Sequence, residues 1–356
     1  MVFRPHIKLY RGKPAGDYRL QMAFFVIFAQ PKNPAALKEI LLMLLLIIPG
    51  LGTSCSGASG EATRSPEHKV PLGDPFILLW ENTYYAYGTL SPNGIAVFVS
   101  DDLQTWKAPE GLKDGVALHK DDVWGDKWFW APEVYFVNGR FYMYYSAEEH
   151  ICVATSDSPL GPFKQETLKP MIEGEKCIDN SLFVDDDGMA YLLFDRFNDG
   201  LNIWIAELQD NLTEIKPETM VKCIHVSQPW EEVWPRVNEG SFIVKHNGVY
   251  YMTYSANSYE SLFYGVGYAT AEKVTGPWTK YDNNPILQKP GELLGVGHSA
   301  MFTDKEGKLR IVFHAHNSTE RIHPRNMFIS KVNFRDEEGA TTMEIDKNYI
   351  TPVLIK

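Results

Sequence analysis

Five stretches of the chain repeat one pattern, a turn dipeptide followed by a run dominated by aromatic and β-branched residues. They are "ENTYYAYGT" (81–89), "NGRFYMYYSA" (138–147), "DGMAYLLFD" (187–195), "NGVYYMTYSA" (247–256) and "EGKLRIVFHA" (306–315). Turn dipeptides, four of the five ending in Gly, with such runs behind them predict hairpins. A strand is expected before each turn, over "DPFILLW", "APEVYFV", "NSLFVDD", "GSFIVKH" and "SAMFTDK". A third is expected after it, over "IAVFVSDD", "ICVATSDS", "LNIWIAEL", "GVGYATAE" and "NMFISKVNF". A weaker fourth follows, for example "NNPIL" at 283–287. The turn anchors Glu81, Asn138, Asp187, Asn247 and Glu306 recur at intervals of about 57, 49, 60 and 59 residues, within the range of repeat architectures. No helical period is evident after residue 60.

Four-stranded antiparallel sheets, repeated five times and each unable to bury both faces alone, predict an all-β fold: a five-bladed β-propeller over residues 70–356. A β-sandwich is the alternative, but it does not require five copies in one register. After about residue 335, "TTMEIDKNYITPVLIK" is enough to complete the last blade.

The N-terminal part departs from this pattern. Ile40–Ile48 is an unbroken apolar run preceded by Lys38. It is shorter than the roughly 20 residues of a bilayer span and suits the core of a secretion signal. Small residues and Cys55 follow, which resembles a relaxed bacterial lipobox; an ordinary signal peptide cut nearby is the alternative. Residues 1–55 are thus expected to be an export segment, with 1–36 explained by an over-early start codon, and 56–69 a polar tether. The expected location is periplasmic or cell-surface, as a lipoprotein of a Gram-negative bacterium that meets the membrane only through Cys55. Export would place Cys152, Cys177 and Cys223 where disulfides can form. Three is odd, none has metal-ligand spacing, and buried structural thiols are expected.

Composition narrows the function. The chain is 44% hydrophobic, 22% charged and 13% aromatic, as for a soluble globular protein with tyrosine- and tryptophan-rich strands suited to sugar. A net charge of −11 with a pI near 5.4 leaves no basic stripe for nucleic acid.

In a propeller the first strand of each blade lines the axis, so one register of the five strands converges there. Eight positions back from the later turn anchors lie Trp130, Asp179, Glu239 and His298. The first repeat gives Gly73, one short of Asp74. Taken singly, these residues could be turn, cap or core residues; as a ring they carry chemistry. Three carboxylates beside an aromatic wall suit glycosidic cleavage, in which one acid protonates the leaving oxygen and another activates water. Crowding drives their pKa values apart. Glu239 is the natural proton donor, Asp74 the base, and Asp179 the group that holds Glu239 and raises its pKa. Trp130, with "WGDKWFW" (124–130), offers an aromatic face to sugar C–H bonds.

"GDPF", "WAPEVY", "IDNSLFVDDDG", "NEGSF" and "GHSAMF", in that order, closely resemble glycoside hydrolase family 43 over about residues 70–335. The resemblance implies an inverting five-bladed propeller enzyme acting on arabinose- or xylose-containing glycans. It implies Asp74 as catalytic base, Asp179 as the pKa-modulating acid and Glu239 as general acid. His298 matches an axial histidine that in many members faces a water-coordinated calcium ion. Arg325, in "HPRNMFIS", resembles a late arginine that contacts substrate. Two departures, Asn180 after Asp179 and Glu-Gly-Ser in place of Glu-Gly-Pro, bear on substrate contacts more than on mechanism.

Other acids and histidines read as structural. Glu133 points away from the ring by alternation and is expected to support it by hydrogen bonding. "DDDG" (185–188) lies on a repeat turn and lacks downstream calcium ligands. His314 and His316 have no third ligand in local spacing. The functions in view are an α-L-arabinofuranosidase or β-xylosidase, a galactan-cleaving relative, and a propeller that binds glycan without cutting it. A fructosidase or mannoside phosphorylase fits "WAPE" and "GHSA" poorly. A monomer is expected.

Overall fold

The computed structural model describes residues 9–11, 68–337 and 340–355. The expected signal core, Cys55 and residues 56–67 of the expected tether therefore lie outside the described residues, whereas its last two, His68–Lys69, form a strand rather than a tether. Among those described, no helix is long and apolar enough to cross a membrane.

The described residues are all-β, and five of their seven sheets follow one another along the chain. Their first strands are Gly73–Trp80, Trp130–Val137, Cys177–Val184, Asn238–His246 and Gly297–Thr303. Each pairs antiparallel with the next strand, respectively Thr83–Thr89, Arg140–Ala147, Ala190–Phe197, Val249–Ala256 and Leu309–Ala315. Third strands lie at Phe98–Ser100, His150–Ser156, Leu201–Glu207, Gly265–Ala271 and Asn326–Glu337. Fourth strands complete the last three sheets, at Val221–Ile224, Thr279–Lys280 and Ala340–Ile345. In the fourth sheet that strand precedes the expected "NNPIL", from which only Leu287 bridges to Val266. The first sheet has three strands, and Leu9–Arg11 pairs with the first strand of the second.

The first strands pack side by side in chain order, and the fifth lies against the first. Apolar layers fill the spaces between sheets: Tyr135, Tyr144, Leu182 and Leu192 between the second and third, and Leu193, Ile203, Ile243 and Met252 between the third and fourth. The largest layer joins the fourth, fifth, first and second sheets around Phe76, Ile77, Phe242, Met301 and Val312. The ends of the domain meet through main-chain bonds. His68–Lys69 pairs with Val353–Leu354, which also runs parallel to Thr105–Trp106.

Every first strand carries a β-bulge near its start, where it advances three residues against two on its partner. The bulge places one residue in the left-handed region: Asp74 (φ 43°), Ala131 (32°), Asp179 (57°), Gly240 (59°) and His298 (47°). Such backbone is unusual for non-glycine residues, and bulges of this kind re-aim side chains beside functional sites. The bulges correct the sequence register. Trp130 and Glu239 each lie one residue before the position that holds Asp74, Asp179 and His298. The cause is turn length. Three hairpins turn in two residues, Glu81-Asn82, Asn138-Gly139 and Asn247-Gly248, all with positive φ, as tight primed turns require. The other two use longer loops after Val184 and Thr303, so a uniform count of eight cannot hold.

Neighbouring sheets are stitched at these bulges. On each second strand, the residue opposite the last pair before the bulge is polar: Thr89, Ser146, Asp195, Ser255 or His314. Asp179 N–H donates to Ser146 Oγ at 3.0 Å, and Gly240 N–H to Asp195 Oδ2 at 3.0 Å. His298 N–H donates to Ser255 Oγ at 2.7 Å, and Asp74 N–H to His314 Nδ1 at 3.0 Å, joining the fifth sheet to the first. Each bond satisfies a main-chain donor that the bulge removes from its own ladder. Ser255→Ala should leave the buried His298 N–H without its acceptor and lower unfolding stability by about 1–3 kcal/mol, read from a denaturant melt.

Candidate active site

The carboxylates arrive at one place because the bulges sit at the same end of neighbouring strands. Asp74 is 7% exposed and held in a bidentate pair by Arg325, with Nη1 to Oδ1 at 2.6 Å and Nη2 to Oδ2 at 3.0 Å. The Thr89 hydroxyl also donates to Oδ2. Gly73 makes this pairing feasible: a Cβ there would lie 2.5 Å from the guanidinium. Arg325 is itself buried and packs over Tyr259 at 4.6 Å. The guanidinium expected to touch substrate thus grips the expected base.

His298 bridges two of the acids. Its Nδ1 lies 3.4 Å from Asp74 Oδ1 and 3.8 Å from Asp179 Oδ2, so those oxygens are no further apart than the two distances together. His314, fully buried behind Asp74, is kept neutral chiefly by burial and by the Arg325 charge, which lower its pKa well below the usual value.

Glu239 keeps some contact with solvent but is ringed by protein, and its pKa is raised to about 7. Burial is the main cause; the Tyr264 hydroxyl, donating to Oε1 at 2.7 Å, opposes the rise, the Asp74 charge adds to it, and Arg325 again opposes. The acid whose charge raises Glu239 is therefore Asp74, where Asp179 was expected. Asp179 instead makes hydrogen-bond contact with the carboxyl of Asp195. A Cβ on Gly297 would lie 2.2 Å from the Tyr264 ring, so that glycine lets the tyrosine reach Glu239.

Trp130 is half-buried and stacks on Trp128, with centroids 5.8 Å apart and planes 15° from parallel. Glu133 is fully buried and takes the Leu182 N–H at 2.7 Å, tying the second sheet to the third. Asp195, Tyr264 and Thr89 were missed in the sequence, and His314 was named there only as a structural residue. Three of them had a legible signal, because each repeat's turn-plus-strand segment carries a polar residue at or next to its end: Thr89, Ser146, Asp195, Ser255 and His314. Tyr264 lies just before a third strand and has no such marker.

A cavity of about 540 Å³ lies between the second and third sheets at the turn ends of the strands, lined by Phe136, Val184, Met189 and Leu212 among others. It gathers none of these acids. Among the described residues, no three His, Cys, Asp or Glu side chains are grouped to hold a metal. Calcium favours six to eight oxygens, whereas Asp74 is taken up by Arg325 and Asp179 by Asp195. The residues present do not fit a protein-ligated calcium ion. Cys152, Cys177 and Cys223 are all free thiols.

The model of the family described as "Glycosyl hydrolases family 43" matches residues 64–339. Among curated proteins, the chain is 30% identical over 277 residues to a xylosidase/arabinosidase 43A from Humicola insolens, covering 60% of this chain and 83% of that one. It is 25% identical to a beta-D-galactofuranosidase from Aspergillus niger over 82% of this chain and 88% of that one. Among solved structures, it is similar to an endo-1,4-beta-xylanase from Bacteroides thetaiotaomicron, with 46% identity and a TM-score of 0.77 over 82% of this chain and 99% of that one.

The Glu239 carboxyl should titrate near 7 by carbon NMR of the glutamate-labelled protein. In Tyr264→Phe, loss of the bond that favours the ionised form should move that midpoint upward.

Proposed function

The chain belongs to glycosyl hydrolase family 43 and is a glycosidase, and we propose that it is an inverting enzyme releasing arabinose or xylose from plant cell-wall glycans. The activities proposed are α-L-arabinofuranosidase or β-xylosidase. The observation that carries this reading is the contrast between two neighbouring acids. Glu239 holds its proton to about pH 7, while Asp74 sits in a bidentate pair with Arg325.

In the proposed step, Glu239 gives its proton to the glycosidic oxygen as the anomeric C–O bond breaks. A water attacks the opposite face of the sugar and passes a proton to Asp74. Arg325 and Thr89 hold the Asp74 carboxylate in place for that exchange. Asp179 orders the donor side through Asp195, and Trp130 supports the sugar ring. Calcium takes no step in this scheme; a hydrated ion against His298 is the form these residues would suit.

The fold in this reading is a five-bladed β-propeller. The adjacency of successive first strands supports it, as does the contact between the fifth and the first. The Ile40–Ile48 run before Cys55 supports export and a lipid anchor on a monomeric enzyme. The similarity to a galactofuranosidase over most of the chain favours a second sugar, galactofuranose, which shares a five-membered ring with arabinofuranose.

Assay of aryl α-L-arabinofuranoside, β-D-xyloside and β-D-galactofuranoside tests the proposal. Release from one of the first two is expected; release from the third alone would select the second sugar, and from none would favour glycan binding without cleavage. Glu239→Gln should lower kcat on the active substrate by about 10²–10⁴-fold with the fold intact by circular dichroism.

A further inference from the structure

Asp195 is fully buried and lies opposite Ile178 at the bulge of the third sheet. Its four equivalents, Thr89, Ser146, Ser255 and His314, can each donate and accept a hydrogen bond. An ionised aspartate can only accept. Asp195 Oδ2 accepts the Gly240 N–H at 3.0 Å, while Oδ1 has no donor to accept from. The same carboxyl touches that of Asp179. Two buried carboxylates in contact repel, whereas one proton between them makes a short, strong O–H···O⁻ bond.

Several titratable groups face Asp195. They are Asp179 on its own sheet, Glu239 on the next, and the thiols of Cys177 and Cys223. None of these is a cation. Arg196, its chain neighbour, is paired with Glu175. Asp179, by contrast, has His298 Nδ1 at 3.8 Å, so the proton belongs on Asp195.

We propose that Asp195 is a positioning residue that works as a protonated carboxylic acid, its O–H donating to Asp179 and its carbonyl oxygen accepting the Gly240 N–H. It links the two acids on either side without adding charge. The bond to Asp179 keeps that carboxylate ionised and aimed. The bond to Gly240 fixes the peptide that follows Glu239 and so the direction of the proton donor. This inference rests on the reading of Glu239 as general acid.

An amide has the same donor and acceptor as a protonated acid, and that makes the test sharp. Asp195→Asn should keep kcat within about threefold of wild type and leave the alkaline limb of the kcat/KM–pH profile where it was. Asp195→Ala should lower kcat about 10-fold or more with a smaller change in KM. A downward shift of the alkaline limb in Asp195→Asn would mean that a negative charge had been removed, and would overturn the proposal. So would an inactive Asp195→Asn, or an Asp195→Ala with wild-type kcat. Should Asp195→Ala fail to fold, the Asn profile decides alone. The infrared difference spectrum, wild type minus Asp195→Asn at neutral pH, should contain a protonated-carboxyl C=O band, and its absence would overturn the proposal without any reference to activity. Full activity in Glu239→Gln would count against the assignment of Glu239 and leave the infrared result standing.

Discussion

The site depends on a backbone bulge repeated in five first strands. The bulge residue is held at positive φ in each, and in four of them its freed N–H is pinned by a polar side chain of a second strand. Strain of this kind persists only where the surroundings over-determine it. Here the over-determination comes from bonds between different sheets. The same bonds that unite the sheets therefore aim Asp74, Asp179 and His298, and set the peptide that follows Glu239.

Once the acids are gathered, electrostatics separates their roles. Charge is matched unevenly: Asp74 receives a bidentate guanidinium and a hydroxyl, whereas Glu239 receives a phenol. Burial then favours the neutral form of Glu239, and the nearby charge of Asp74 adds to the effect. One neighbourhood thus gives two carboxyls unlike environments at the same pH. The usual route to a division of roles is a difference in environment rather than in residue type.

Much of this was legible in the sequence. The five turn-and-strand segments gave the five first strands close to their observed bounds, because a tight turn and an apolar run are local signals. The residues of the site were also legible, yet the register that selected them was one position out for Trp130 and Glu239. Two-residue and longer turns look alike as Asn-Gly, Asp-Gly or Glu-Gly, but they place the bulge differently. Asp195 and Tyr264 were invisible to a reading that followed first strands alone, since both reach the site from elements behind them. The pairing of Arg325 with Asp74 spans most of the chain, and no local pattern encodes it.

The central claim is that Glu239 and Asp74 act on opposite faces of one sugar in a single displacement. Proton NMR of the first sugar released, recorded before mutarotation, tests it most directly. The account predicts that the product appears first as the anomer opposite to the substrate. A first product with the substrate's own anomeric configuration would contradict it, because retention requires a covalent intermediate and a nucleophile that this arrangement does not assign.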